Sequence, residues 1–337
     1  MNAIRNILIL VFVIVFNACD NKRHIHFEIQ ENIPCILAND SSLIDKPIEM
    51  IKSGDIIFIS DYKGDSLLWL YNTRTNQMKK KELAKGEGPS DFLPPVQISF
   101  IDPSTANIHN RWHFNFNISK YDSIKKTFHN IGERIRISTD IDMIYPIKDK
   151  QYVASGKFKE GRFAILNAKG EIIHYFGEYP NLINNEKKLD SFSKFMFHQS
   201  MFSYNKDKNI IACTTSHILE LYNDYKCIKQ IILSSYDYQN KFENNGNYIE
   251  INKNTEIGAK RIYSTNKYIY ILYNPNTFEN ENKLNNEIWI FNWNGDKIKK
   301  ITTNYNMQCF CVDESDKIIY GIVNAPNPVI ATIYINL

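Results

Sequence analysis

The sequence predicts an all-β chain: a six-bladed β-propeller of four-stranded antiparallel blades, its last blade closed by the N-terminal strand. Three observations carry this. Runs of four to eight residues rich in Ile, Tyr, Phe and Val alternate with turn clusters of Asn, Asp, Gly and Lys, which is the pattern of short strands joined by tight turns. An apolar strand ending on Asn or Asp recurs six times along the chain. The chain also stops one strand short of a complete last blade and starts with a strand to spare.

From the N-terminus, residues 1–18 read as a signal peptide of lipoprotein type and 19–337 as a single propeller domain. Arg5 supplies a positive start, and Ile7 to Phe16 is an uncharged apolar run of ten residues. As a helix that run is about 15 Å long, roughly half a bilayer's hydrocarbon core, so it suits a signal h-region and not a span. Ala18-Cys19 follows at once. A small residue before cysteine at that place resembles a bacterial lipobox, which would give the Cys19 thiol a diacylglycerol and make it the mature N-terminus. Asn17 and Phe16 depart from the small residue and Leu usual there. The expected address is the bacterial cell envelope, on the outer membrane or the periplasmic face. The membrane is then a partner through the lipid at Cys19.

The repeat anchors come next. "LLWLYNTRTNQ" holds Asn72, "NISKYDSIKKT" Asp122, "RFAILNAKGEII" Asn167, "ILELYNDYKCI" Asn223, "EIWIFNWNGDKI" Asn292 and "IATIYINL" Asn336. They lie 50, 45, 56, 69 and 44 residues apart. Each follows another apolar run, such as "DIIFISD" or "KYIYILYN", so the unit is four antiparallel strands, a propeller blade. The 69-residue interval contains two Asn-rich stretches, "NKFENNGNYIEINKN" and "PNTFENENKLNNE", which read as loop insertions, where added length costs little. Asn336 is followed only by Leu337, so the sixth blade lacks an outer strand, and "HIHFEIQE" (24–31) is the spare one expected to fill it. Helical patterning is almost absent; the best segment is Leu189 to Met196.

Composition narrows the function. Hydrophobic residues make up 43% and charged ones 23%, enough to build a core. A net charge of +3 without clustered Lys and Arg excludes a dedicated nucleic-acid surface. The runs Lys79-Lys80-Lys81 and Lys299-Lys300 read as solvated strand ends. Apart from Cys19, five cysteines remain (Cys35, Cys213, Cys227, Cys309 and Cys311), an odd number at irregular spacing that makes no disulfide framework. Buried packing is the expectation for all five. Only His109 and His113, in "HNRWH", have a suggestive histidine spacing, and no helix is expected to bring them together. No metal and no cofactor are expected.

"LAKGEGPSDF" (83–92) looks at first like a phosphate loop. A GxGxxG needs a third glycine where Asp91 stands, and a Walker loop needs Gly-Lys-Ser/Thr where Gly88-Pro89-Ser90 stands. Pro94 and Pro95 deny the following helix. The stretch therefore reads as a corner between blades, with glycines supplying positive φ. Gly86-Glu87-Gly88-Pro89-Ser90-Asp91-Phe92, the signal peptide, Cys19 and the six blades together resemble the TolB-like six-bladed β-propeller lipoproteins of Bacteroidota. Asp91 stands where Glu is usual. The resemblance implies a fold and an envelope location, and it carries over no catalytic residue.

Topology then nominates the ligand face. In a propeller the loops between second and third strands and the connections between blades share one face around the central channel. Here those second-to-third loops are 61–66, 109–115, 156–162, 214–217, 273–287 and 324–328. They and the 83–92 corner put forward Asp61, Tyr62, Lys85, Glu87, Arg111, Trp112, Lys157, Arg162, His217 and Tyr273. Arginines and aromatic residues in one ring suit a protein, peptide or glycan ligand. No nucleophile elbow or other catalytic set is present, so the first expectation is a binding or scaffolding module. The alternative is a lyase or hydrolase acting on glycans or peptides. It predicts two or more carboxylates or histidines with shifted pKa values at the channel mouth.

Overall fold

A computed structural model of the chain describes residues 25–38, 44–63, 66–88, 91–125, 127–180, 189–234, 242–244, 249–284 and 286–337. Cys19, the signal segment, His24, Pro89 and Ser90 lie outside the described residues.

Six strands line the channel, one from the start of each blade: Pro47–Ser53, Val96–Asp102, Ile141–Pro146, Met201–Asn205, Glu256–Ser264 and Met307–Val312. Each touches the next, and the sixth touches the first, so the ring is closed. Blade one is typical. Its lining strand pairs with Ile56–Asp61, that with Ser66–Asn72, and that with Gln77–Ala84, all antiparallel. Blades two to five follow the same order of pairing.

The middle strands read as unbroken apolar runs because both of their faces are covered. In blade one Ile57 and Ile59 turn toward blade six and pack with Cys309, Cys311 and Ile322. Phe58, between them, turns toward blade two and packs with Val96, Ile98 and Ile108. The other four interfaces have their own apolar clusters. At about 25 cal/mol per Å² of buried apolar area, these clusters are the main force that sets blade against blade.

Four of the six recurring Asn and Asp have a common physical role: they close the hairpin between third and fourth strands, whereas Asn223 donates its side-chain amide to the Lys208 and Asn209 carbonyls. Asn72 Oδ1 accepts the N–H groups of Arg74 and Thr75 at 2.9 and 3.1 Å. Asp122 does the same for Ile124 and Lys125, Asn167 for Lys169 and Glu171, and Asn292 for Asn294 and Asp296. A short acceptor side chain at the first turn position satisfies donors the ladder cannot reach.

The N-terminal strand closes the last blade, through a segment later than expected. Ile36–Leu37 pairs antiparallel with Pro328–Tyr334, the third strand of blade six. Within 24–31, Gln30 and Glu31 instead begin a strand, Gln30–Asn32, that runs parallel to Lys297–Thr302 on the rim of blade five. Pro34 separates the two pairings; it has no N–H to continue the first ladder. Phe27 is buried against Trp289 and Phe291, at ring distances of 5.4 and 5.5 Å. Lys299 is no solvated strand end: it is buried, and its Nζ donates to Glu31 Oε1 at 3.0 Å and to the carbonyl of Asn336. One side chain thus joins blade five to both chain ends.

The single described α-helix, Ser191–Phe197, falls where the pattern allowed one; Asp190 caps it by accepting from Ser193 N–H at 2.7 Å. All five described cysteines are free thiols; Cys35, Cys213, Cys309 and Cys311 are buried, whereas Cys227, on the exposed outer strand of blade four, is not.

Candidate functional site

The channel opens on the face that carries the second-to-third loops, in a cavity of about 380 Å³. Its wall is made mainly where the lining strands begin. Blade one contributes Ile48 and Glu49, blade two Gln97, His109 and Arg111, blade three Asp142 and Met143, and blade five Lys260 and Arg261. Three of these strands carry a β-bulge here: the pairing register shifts at Ile48, Asp142 and Lys260. A bulge inserts one residue and re-aims the side chains around it, a common device beside functional sites.

The charges are arranged in two groups. Arg111 forms an ion pair with the buried Asp142. Burial raises the Asp142 carboxyl above the usual carboxylate range, against the pull of Arg111 and Lys157. Across the mouth, Arg261 is held by its own backbone surroundings: Nε donates to the Ile48 carbonyl at 2.7 Å and Nη1 to the Lys260 carbonyl at 2.6 Å. Glu49 receives the Ile98 N–H at 3.4 Å. Burial pushes its carboxyl up to about 7, with Arg261 and that N–H opposing. Burial and then Arg261 lower the Lys260 amine.

His109 is 1% exposed, and its Nε2 has no hydrogen-bond partner. Burial first and Arg111 second bring it down to about 3, so the ring is neutral at ordinary pH. Gln97, its cross-strand neighbour, has an unpaired buried Oε1. A buried polar atom without a partner is rare enough to require a reason. His113 lies apart, accepting or donating at Nδ1 with Asn110 at 2.9 Å and bordering a separate groove with Glu87, Arg134 and Arg136. The two histidines therefore serve different places.

Of the residues nominated from sequence, Arg111 is the one that borders the central cavity. Tyr62, Lys85, Glu87, Trp112 and Lys157 are on the surface of the surrounding rim; Trp112 is 53% exposed, with the Arg111 guanidinium 5.6 Å from its ring. Lys46 lies over Tyr62 at 5.0 Å, and Lys157 over Phe192 at 5.7 Å.

Four nominated residues are turned inward and are not rim groups. The Asp61 carboxylate accepts the N–H groups of Asp45, Lys46 and Lys63 and the Trp69 indole N–H, tying down the connection into blade one. Arg162 donates to Glu220 at 2.5 Å and lies 4.6 Å from the Phe163 ring, inside the contact of blades three and four. His217 is buried, and its carbonyl accepts Leu233 N–H at 2.8 Å. Tyr273 stacks on Trp289 at 3.6 Å and donates to Glu256 at 2.7 Å.

The 83–92 corner keeps its place, for a different reason than positive φ. Neither Gly86 nor Gly88 has a positive φ. The Asp91 carboxylate folds back into the corner and accepts Gly88 N–H at 3.0 Å. A Cβ at Gly86 would collide with that carboxylate, and one at Gly88 would lie 2.8 Å from it. Arg134 holds the outside, donating to the Asp91 carbonyl at 3.0 Å and lying 4.8 Å from the Phe92 ring. The glycines make room for a carboxylate.

Three solved structures have the same overall fold. A member of the DUF4221 family from Bacteroides vulgatus is 12% identical, with a TM-score of 0.55 over 94% of this chain and 99% of that one. A putative exported protein from Bacteroides fragilis is 10% identical, with a TM-score of 0.56 over 92% and 99%. The Pan2 WD40 domain of Neurospora crassa is 10% identical, with a TM-score of 0.51 over 91% and 95%. At these identities the likeness is one of fold. No curated protein matches the sequence. Residues 29–315 match the model of the TolB-like 6-blade propeller-like family, and the chain belongs to that family.

Proposed function

We propose that this protein is a lipid-anchored cell-envelope binding module that holds a protein, peptide or glycan ligand at the mouth of its propeller. The observation that carries the reading is the mouth itself. A concave site with apolar walls, fixed cations and unpaired polar groups is the usual form of a ligand site, and here five blades converge on one. The fold neighbour from Bacteroides fragilis, named a putative exported protein, supports the envelope address.

The test is photo-crosslinking in cells, with a benzoylphenylalanine at Trp112 on the mouth rim and another at Ile124 in a hairpin. A discrete adduct from position 112 that is missing from position 124 supports the reading; the same background from both removes it. Loss of lipid labelling in Cys19→Ala checks the anchor.

A second reading is favoured by Glu49. A carboxyl with a pKa of about 7 that lines the same cavity as a neutral histidine suits general acid–base work, as in a propeller-fold lyase or hydrolase acting on glycans or peptides. Release of product from a glycan or peptide pool by the wild type but not by Glu49→Gln would establish it, and equal release by both would refute it.

A further inference from the structure

We infer that the mouth recognises the free carboxylate of an acylated amino acid or of a peptide C-terminus. This rests on the mouth being the binding site, as proposed above, and three features of its wall select the class.

The first is Arg261. Two backbone carbonyls fix its guanidinium, while Nη2 makes no hydrogen bond to any described residue. A guanidinium already oriented, with one edge uncommitted, is suited to an oxyanion because little freedom remains to be lost. Arg111 is matched by Asp142, and the carboxyl that faces Arg261 in the cavity is Glu49. The second feature is apolar: Ile48, Val96, Met143, Met201 and Phe202 form much of the remaining wall, and they suit an aliphatic or aromatic side chain better than a phosphate or a bare sugar. The third is the unpaired pair Gln97 Oε1 and His109 Nε2. The amide oxygen can only accept, so it calls for an N–H or O–H donor. An N-acyl amino acid and a peptide C-terminus each combine an anion, an apolar side chain and an amide N–H.

Binding of such an anion is coupled to Glu49. The titratable and charged groups that face it are His109 and Arg111 from blade two, Asp142 and Tyr145 from blade three, Lys260 and Arg261 from blade five and Cys309 from blade six. His109 at about 3, and Tyr145 and Cys309 at about 12, keep their neutral forms through the neutral range. Glu49, at about 7, does not. Below that pH it holds a proton and the mouth gains positive charge; above it the carboxylate repels the incoming one. Were the ligand to bind only the protonated form, affinity would be about tenfold higher at pH 6 than at pH 8.

The experiment is calorimetric titration of the full-length chain in nanodiscs with N-acetyl-leucyl-leucine and with its C-terminal amide. The acid is expected to bind, the amide at least about tenfold more weakly. The acid should bind about tenfold more tightly at pH 6 than at pH 8. Arg261→Gln should lose binding while keeping its circular dichroism spectrum. Glu49→Gln should bind at pH 8 as the wild type does at pH 6, which keeps the test informative if the arginine variant fails to fold. Equal binding of acid and amide, lost in a mouth variant, overturns the carboxylate and leaves the mouth as the site. Binding that neither substitution alters, or no binding of either probe, overturns the inference; the crosslinking at position 112 then judges the broader reading separately.

Discussion

The two faces of this propeller use the same kinds of polar residue in opposite ways. On the hairpin face Asn72, Asp122, Asn167 and Asn292 spend their oxygens on the turns that follow them. Asp102 and Asp313 do so in the first hairpins of blades two and six. On the mouth face Gln97 and His109 keep unpaired atoms, and Glu49 sits against burial that pushes it toward neutrality. A polar side chain satisfied within five residues of itself encodes a turn. One that its own neighbourhood leaves unsatisfied is available for something else.

Arg162 is the strongest test of that division, because it starts a mouth-side strand yet behaves structurally. The residue is 2% exposed, and its guanidinium is paired with Glu220, which also accepts from Gln230 at 3.0 Å. Arg162→Met should destabilise the fold by about 3–5 kcal/mol, since Glu220 is left buried without its cation. Adding Glu220→Leu should recover much of that loss. Urea denaturation of the single and double variants reads both effects. A loss below about 1 kcal/mol would return Arg162 to the functional set.

Glu49 is next. Its folded pKa of about 7 is above the ordinary 4.5, so folding favours the protonated form. The stability it contributes is fully present below about pH 4.5 and is lost as the pH rises through 7. Glu49→Gln should therefore gain about 1–3 kcal/mol over the wild type at pH 8 and nothing at pH 4. His109 has the opposite sign. Its pKa is lowered from 6.5 to about 3, so its contribution is complete above 6.5 and is lost as the pH falls through 3. His109→Gln should flatten the acid limb of the stability profile while Glu49→Gln flattens the alkaline one, as thermal melts from pH 3 to 9 would record.

This contrast also explains what the sequence disclosed. The anchors Asn72, Asp122, Asn167 and Asn292 are visible because turn closure is local: residue type and hydrogen bond lie within a few positions. The loops between second and third strands were legible for the same reason, and the nominated ranges match the observed strand ends closely. The cavity was not. Glu49, Asp142, Lys260 and Arg261 sit within strands, at or beside bulges, and a bulge leaves no local mark in residue pattern. Asp61, Arg162 and Tyr273 misled in the reverse direction. Each is a polar residue beside a loop whose partner, Asp45, Glu220 or Glu256, comes from elsewhere in the chain. Closure was half legible: a spare N-terminal strand could be counted, but its division at Pro34 between blades five and six depends on Phe27 and Lys299 finding their places.

The smallest effect sharpens the comparison from the hairpin side. Asn72→Ala removes the acceptor for Arg74 and Thr75 at an exposed turn, where water can replace much of what is lost. The cost should be about 0.5–1 kcal/mol. Asn72→Asp keeps the acceptor and places it beside Arg74, so its stability should stay within about 0.5 kcal/mol of the wild type. Neither substitution should alter binding of an acyl amino acid at the mouth, because the turn lies at the other end of the third strand of its blade from the cavity. If Asn72→Ala weakened that binding, the two faces would be coupled through blade one, and the division between turn-closing and ligand-facing polar residues would fail there.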